Sequence, residues 1–564
     1  MRFHVVGVGA VGSLLAFHLK RSSRRLLAAT AATLPGLGGN SGTSGTSGSD
    51  RSDEAQRYLR SLPAPHALPY LPPPHEQGIV LRMRKFAYAS RAIRRSDASV
   101  AVQRDDVWDK ETAFAVIHDG DDYSGIPSST EPGTKLPRDS ESQTVEWGRS
   151  YCQQAGFGTE EAIDSIIVAT KAQNVLGALQ PISQHITRAT TIVLVQNGQG
   201  VLDLLLERLF QNPETRPNFI LASNTHGVFR KGQLHVLHTA FGRLDFGIVP
   251  NAYTGNDYEK LLAKQNDGEG DRSGQGEDEK KEEGQGRGIR AEDGSDSEGS
   301  RQNEWEAFLP KSAQARRRIE RARERSAGIP NAPLLDVGAI PDLPETQTLR
   351  ATVAMLLNLP LDVHWHPIRG LQMIALRKLA VNACINPLTA LSEVENGQLL
   401  GNGSAEEAMR DVCTEASQVL EAQILRSHHA ALARDTEREA GQEGGEEQAN
   451  EDVRDLMLTP TSLPGYSSQT GVPALDPSLR AGALLAEAKR VARLTARNKS
   501  SMLQDVMNGA KTTEIQFING YLSRLGRSFG IPTPVNDLLV KLVNFKISKN
   551  SAPGARSRYP RSGL

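Results

Sequence analysis

The 564-residue chain has only three cysteines, Cys152, Cys384 and Cys413, and no two of them form a CxxC pair. That excludes a disulfide framework and a cysteine-based zinc site, and it fits a reducing compartment. Aromatic residues make up 5% and hydrophobic residues 38%, while 51 Gly and 30 Pro punctuate the chain, so much of the length is not core. Neither charge sign dominates: 65 basic residues face 66 acidic ones for a net charge of −1. There is therefore no global basic field for nucleic acid and no acidic solvating bias. No apolar run approaches the roughly 18 residues that a membrane span needs. A strand that opens at residue 2 leaves no room for a cleavable leader ahead of it. The expectation is a soluble, cytoplasmic protein, with mitochondria as the alternative, and with no metal, nucleic-acid or membrane partner.

Three stretches, 24–77, 254–345 and 425–490, read as disordered insertions, rich in Gly and Ser or in Glu and Gly. Residues 265–303 carry only Ile289 and Ala291 as apolar side chains, too few to offset the entropy of ordering. Setting the three aside leaves roughly 350 residues, about two domains. The segment Ser165-Ile166-Ile167-Val168-Ala169 and the segment Thr191-Ile192-Val193-Leu194-Val195 are short and continuously apolar. Parallel strands covered on both faces have that character. A helical stretch from Asn174 to His185 lies between them, which is βαβ logic. The expected architecture is α/β: a Rossmann-like, doubly wound parallel sheet over residues 1–365, followed by an all-helical domain over 366–550 and a disordered tail over 551–564.

Residues 2–6 read as a strand that runs into Gly7-Val8-Gly9-Ala10-Val11-Gly12 and then an Ala/Leu-rich helix. In that setting the first glycine makes a tight turn and the second lets backbone approach a pyrophosphate. The third allows close helix–strand packing, and the helix N-terminus attracts the phosphates. After the second strand, Ile79-Val80-Leu81, come Arg82, Met83, Arg84 and Lys85 with no acidic residue. That favours a 2′-phosphate, hence NADPH, held by Arg82 and Arg84. Lys171 and Asn197 stand just beyond two strand ends, the edge at which open α/β sheets bind ligands.

Leu371 to Leu391 is apolar nearly all round, so it should be a buried helix. Yet Lys378, Asn382 and Asn386 recur at i, i+4 and i+8, within about 80° on one face. Burying an unpaired lysine costs several kcal/mol, so this stripe must face a polar cleft or a ligand. Farther on, Glu514 follows Thr512 and Thr513 at the expected start of an amphipathic helix. There it either complements the helix dipole or takes a functional role.

Taken in order, GVGAVG, a strand ending in Thr170-Lys171, VQNGQG, KLAVNACINPLTAL with Asn396-Gly397 beyond it, and SSMLQDV followed by TEIQFING resemble the ketopantoate reductase (2-dehydropantoate 2-reductase) family, of the fungal type with long insertions. The resemblance covers most of the ordered residues and none of the insertions. It implies that Lys378 is the general acid and also touches substrate, and that Asn382, Asn386, Asn396 and Ser501 hold the substrate. It implies further that Gly7, Val8, Gly9, Ala10, Val11, Gly12, Lys171, Asn197 and Glu514 contact the cofactor. The implied reaction is NADPH-dependent reduction of the 2-keto acid ketopantoate to (R)-pantoate, a precursor of pantothenate and coenzyme A. Two alternatives stay open: a reductase of another 2-keto acid, and a non-catalytic relative with a binding role. A homodimer is left open as well.

Overall fold

The computed structural model describes residues 1–33, 78–84, 99–104, 107–111, 115–119, 162–232, 234–250, 337–439 and 475–549. Strands β1 (Arg2–Val6), β2 (Gly78–Arg84), β3 (Val100–Arg104), β4 (Val107–Glu111), β5 (Ala115–Asp119), β6 (Ser165–Val168), β7 (Thr191–Leu194), β8 (Asn218–Asn224), β9 (Gly227–Gly232), β10 (His235–Ala240), β11 (Leu244–Ile248) and β12 (Val363–Trp365) form two sheets. The larger has the order β12-β11-β8-β7-β6-β1-β2-β5. From β8 to β5 every pairing is parallel. The expected doubly wound parallel sheet is present, and it carries one antiparallel edge, where β11 runs antiparallel to β8. The chain leaves β8, makes the β9–β10 hairpin of the smaller sheet (order β4-β3-β10-β9), and returns directly. No crossover helix intervenes, and an antiparallel return needs none.

Consecutive residues of the central strands alternate between two buried layers. Ile167, Val193 and Ile220 pack with Phe3, Leu14 and Phe17 on one face. Ile166, Ile192 and Phe219 pack with Val175, Leu179 and Leu205 on the other. That two-sided burial is why β6 and β7 carry no polar alternation. Helix α1 (Ala10–Thr33) lies against both sheets. It passes through residues 24–33, which the sequence reading assigned to the first insertion; Ala and Leu there are strong helix formers. Short helices α2 (Val175–Leu179) and α3 (Val201–Arg208) cover the opposite face, and α4 (Gln347–Leu357) joins the layer of α1.

Helix α5 (Ile368–Ser392) starts directly after β12. Its first turn, Ile368 and Leu371, packs into the sheet-side layer. From Met373 onward it belongs to the helical core, together with α6 (Gly403–Glu439), α7 (Ala481–Leu494), α8 (Ser501–Met507), α9 (Asn519–Ser528) and α10 (Pro534–Ser548). Helices α6 and α7 reach into the third expected insertion from both sides, so its edges shrink accordingly. The second expected insertion, 254–345, likewise ends too late: residues 337–345 are described, and Val337 and Ile340 are buried in the core shared with α1 because their apolar side chains complete that layer. Residues 34–77, 254–336 and 440–474 of the insertions, and the 551–564 tail, lie outside the described residues.

Pro387 sits inside α5 and cannot donate to Ala383, four residues back. The Asn519 amide fills the gap: its Nδ2 donates to Ala383 O at 3.0 Å and to Asn536 Oδ1 at 2.9 Å. Asn536 in turn donates to Glu415 at 2.7 Å. An unmet buried carbonyl costs about 1–3 kcal/mol. Asn519→Ala should therefore lower the unfolding free energy by about that much, measured by urea denaturation. A change within about 0.5 kcal/mol, the scale of an ordinary surface substitution, would mean that Ala383 O is satisfied some other way.

Candidate active site

The glycine turn opens at the carboxyl end of β1. Gly7 has φ +86°, and a Cβ there would lie 2.4 Å from Thr170 Cγ2. A Cβ on Gly12 would lie 2.3 Å from Gly7 O, whereas one on Gly9 would meet nothing within 4 Å. Gly7 and Gly12 are thus demanded by packing, and Gly9 by open space in front of the backbone. Val8, Ala10 and Val11 are half-buried against the sheet core. The helix N-terminus beyond them presents its first amides toward that space, a ready anion site for a dinucleotide pyrophosphate. Among the described residues no group of His, Cys, Asp and Glu is arranged to hold a metal.

The second turn, Asn197-Gly198-Gln199-Gly200, follows β7 and is held by the helical domain. Gln199 N donates to Phe517 O at 2.8 Å, and a Cβ on Gly198 would lie 2.6 Å from the same oxygen. Gly198 has φ +88° and Gly200 φ +84°, conformations that glycine adopts without strain. Asn197 thereby lines a cavity with Lys378, Asn382, Ser223, Gln372 and Tyr521.

Lys378 Nζ donates to Asn224 O at 2.9 Å and lies 3.4 Å from Ser223 Oγ, both at the end of β8. Burial lowers its pKa from the usual 10.5 to about 8, against the opposing pull of Glu514 and Asp245. Two of the three ammonium hydrogens have partners in β8, which leaves one for a ligand oxygen. Glu514 is buried, and its carboxylate accepts from Ala172 N at 3.3 Å. Burial holds its carboxyl above the usual range, and the Lys171 charge works the other way. It begins a short 3₁₀ turn, Glu514–Phe517, rather than an α-helix: Ile518, at φ −111° and ψ −96°, breaks the run before α9 starts.

The other expected residues form a second group. Asn386 and Asn396 are buried, and Asn396 Nδ2 donates to Thr495 Oγ1 at 2.9 Å. Ser501 is half-buried at the start of α8, which Ser500 caps by accepting from Leu503 N at 3.1 Å. Thr389 Oγ1 donates to Ser500 Oγ at 2.7 Å, tying α8 to α5. This group does not line the cavity at Lys378. Lys171 meets both oxygens of Asp505, a residue of α8, at 2.6 Å. Asp505 sits inside the SSMLQD motif, whose sequence does not point to a partner. Nothing local pairs it with a lysine 334 positions away. Arg82 and Arg84 lie within β2, not beyond its end. Arg82 pairs in register with Val6, the residue before the glycine turn, and Arg84 with Asp119.

This geometry, a Rossmann-like sheet with a glycine turn at the carboxyl end of β1 and a helical domain that supplies a lysine to the cavity at Asn197, defines an α/β protein of the Rossmann class with a helical C-terminal domain. The chain matches the family models "Ketopantoate reductase PanE/ApbA" over residues 132–251 and "Ketopantoate reductase PanE/ApbA C terminal" over 371–547, together more than half its length. It belongs to the ketopantoate reductase family. It is 31% identical over 166 residues to 2-dehydropantoate 2-reductase of Archaeoglobus fulgidus, covering 29% of this chain and 37% of that protein. It is 23% identical over 381 residues to the Vibrio cholerae protein of the same name, covering 67% and 76%. With the Saccharomyces cerevisiae one it shares 34% over 79 residues, covering 14% and 21%. The archaeal match thus spans less than half that relative's length. A solved 2-dehydropantoate 2-reductase of Bacillus subtilis aligns with TM-score 0.41 and 15% identity, over 97% of this chain and 100% of that one.

The three glycines should separate fold from binding. Gly12→Ala forces a clash and should lower the melting temperature. Gly9→Ala, whose methyl enters open space, should leave melting unchanged yet weaken binding of a nicotinamide dinucleotide, probed with NADPH, about tenfold or more, ~1.4 kcal/mol. Thermal melts paired with a fluorescence titration of NADPH check this, and equal NADPH affinity in Gly9→Ala would move the pyrophosphate elsewhere.

Proposed function

We propose that the protein reduces ketopantoate to (R)-pantoate with NADPH, Lys378 acting as the acid. The observation that carries this is an ammonium with a pKa of about 8, held on a β8 carbonyl in the cleft opposite Asn197. Family membership supports a 2-keto acid as the substrate.

The glycine turn and Gly9 in particular leave room for a dinucleotide, and the α1 N-terminus would hold its pyrophosphate. When bound, the nicotinamide supplies the hydride that goes to the substrate C2. Lys378 donates to the C2 oxygen, polarising the carbonyl, and transfers its proton as alkoxide charge develops. Its anchors on Asn224 and Ser223 fix the direction of that donation. Asn382, on the same face of α5 and lining the same cavity, orients the substrate without adding charge, whereas Asn386, Asn396 and Ser501 stand outside that cavity and take no part in this step. The Lys171–Asp505 pair and the contact of Ala172 with Glu514 join the sheet's carboxyl edge to the helical domain.

NADPH oxidation by purified protein across a panel of 2-keto acids tests the substrate. Preference for a different keto acid would replace ketopantoate and keep the chemistry, whereas no oxidation with any of them would leave a binding protein. Lys378→Ala should lower turnover by about 10²–10⁴-fold, the usual contribution of a general acid, with NADPH binding retained. More than a third of wild-type turnover would remove Lys378 from the role. Because the acid form is required, the rate of reduction should fall as pH rises through about 8, tending to tenfold per unit.

The choice of NADPH rests on Arg82 and Arg84, near the glycine turn, with no acidic residue following them before Lys85. A charge-assisted contact with a 2′-phosphate contributes about 1.5–3 kcal/mol, roughly 10–150-fold. Replacing both arginines by alanine should raise the NADPH KM by about that factor and leave turnover at saturation nearly unchanged, since the phosphate is bound equally in ground and transition states. Equal use of NADH by the wild type would overturn the cofactor choice.

A further inference from the structure

Beneath Lys378 the structure places a second buried carboxylate that the reaction as written does not use. Asp245 lies on β11, only 2% exposed, and in register with Ser223 of β8, the serine beside the Lys378 ammonium. Leu244, Phe246 and Ile248 point into the core on the α1 side. Strand alternation therefore turns Asp245 and Gly247 toward α5, and a Cβ on Gly247 would touch Ile368 of that helix. Two groups hold the carboxylate: Arg243 Nη2 donates to its Oδ1 at 2.7 Å, and His366 Nε2, just ahead of α5, donates to the same oxygen at 2.7 Å. A carboxylate taken this far out of water persists only with such partners.

We propose that Asp245, fixed by His366 and Arg243, is a positioning residue that keeps the Lys378 ammonium protonated in the cleft. The inference rests on Lys378 being the acid of the proposed reaction. Lys378 itself is anchored by neutral groups, a peptide carbonyl and a serine hydroxyl, so its charge is balanced from a distance. The anions that reach it are Glu514 from the 3₁₀ turn and Asp245 from β11. Glu514 is shared with Lys171, whose partner is Asp505. Asp245 is shared with Arg243 and His366; among the described residues it also acts on His226 and pairs in register with His364, whose ring contacts Asp362. From α6 and α9 the cavity receives Gln423 and Tyr521. Despite its burial, the Asp245 carboxyl stays below the usual carboxylate range, drawn down by His366 and Arg243. It is therefore anionic across the pH range in which Lys378 titrates. Glu514 borders the expected cofactor site, and Asp245 does not. Of the two anions, Asp245 keeps its environment while ligands come and go.

The pH profile of reduction at saturating NADPH tests this with variants of opposite sign. Asp245→Asn removes the anion and should move the alkaline limb down by about one unit, the size of shift a nearby charge commonly produces. Arg243→Met frees the anion from its cation and should move the limb up. A side chain needed only for folding would not displace the limb in opposite directions. NADPH titration of each variant verifies an intact cleft. If Asp245→Asn does not fold, the Arg243→Met profile decides alone: a raised limb supports the proposal and an unmoved one overturns it. The limb measured on the residual activity of Lys378→Ala separates the two layers of inference. A limb that survives there removes Lys378 as the acid and this proposal with it. A limb lost there but unmoved by Asp245→Asn overturns only the role of Asp245.

Discussion

Lys378 carries an ammonium on a helix that is otherwise apolar nearly all round, and moving such a group out of water costs several kcal/mol unless it finds partners. The rest of the cleft is arranged around that cost. The β8 strand ends with a carbonyl turned to the lysine, Asn224 O at 2.9 Å. Glu514 and Asp245 provide negative charge from two different elements, and the outcome is a lysine near pKa 8 instead of 10.5. Weaker compensation would leave the amine neutral and without a proton to give. Stronger compensation would hold the proton too tightly for transfer at neutral pH.

Where a feature depended on neighbours in the chain, the sequence was informative. Two-sided burial leaves its mark directly on Ile166-Ile167-Val168 and Ile192-Val193-Leu194, and the glycines at 7 and 12 mark backbone crowding that no other residue tolerates. The polar stripe of α5 was legible because three polar residues at helical spacing interrupt a buried surface. What could not be read was pairing across distance. Asp505 sits in a motif that is plain to see, but its meaning comes from Lys171 on another domain. Asp245 occupies a strand whose pattern, LDFGI, gives no hint that Ser223 and Lys378 lie across from it. The antiparallel edge is a detail of the same kind, since it follows from the β9–β10 excursion and not from β11 itself.

The 3₁₀ turn at Glu514 is an instructive miss of another kind. Thr512-Thr513 followed by Ile515 and Ile518 has the spacing of a capped helix, and Thr513 does cap, accepting from Ile515 N at 3.4 Å. The helix is interrupted at Ile518, and Phe517 O is thereby turned outward to accept from Gln199 N. A regular helix would have kept that oxygen for its own ladder. The irregularity is what lets the helical domain grip the Asn197 turn.

Helix α5 also has a consequence for how the molecule comes apart. Its first turn is part of the sheet-side core and its remainder is part of the helical core, so neither domain keeps its full interior if the other melts. Domains joined by a loose linker unfold independently, in separate steps. Here a shared structural beam ties the two transitions together, and the loss of either core should propagate through α5 into the other as one cooperative event.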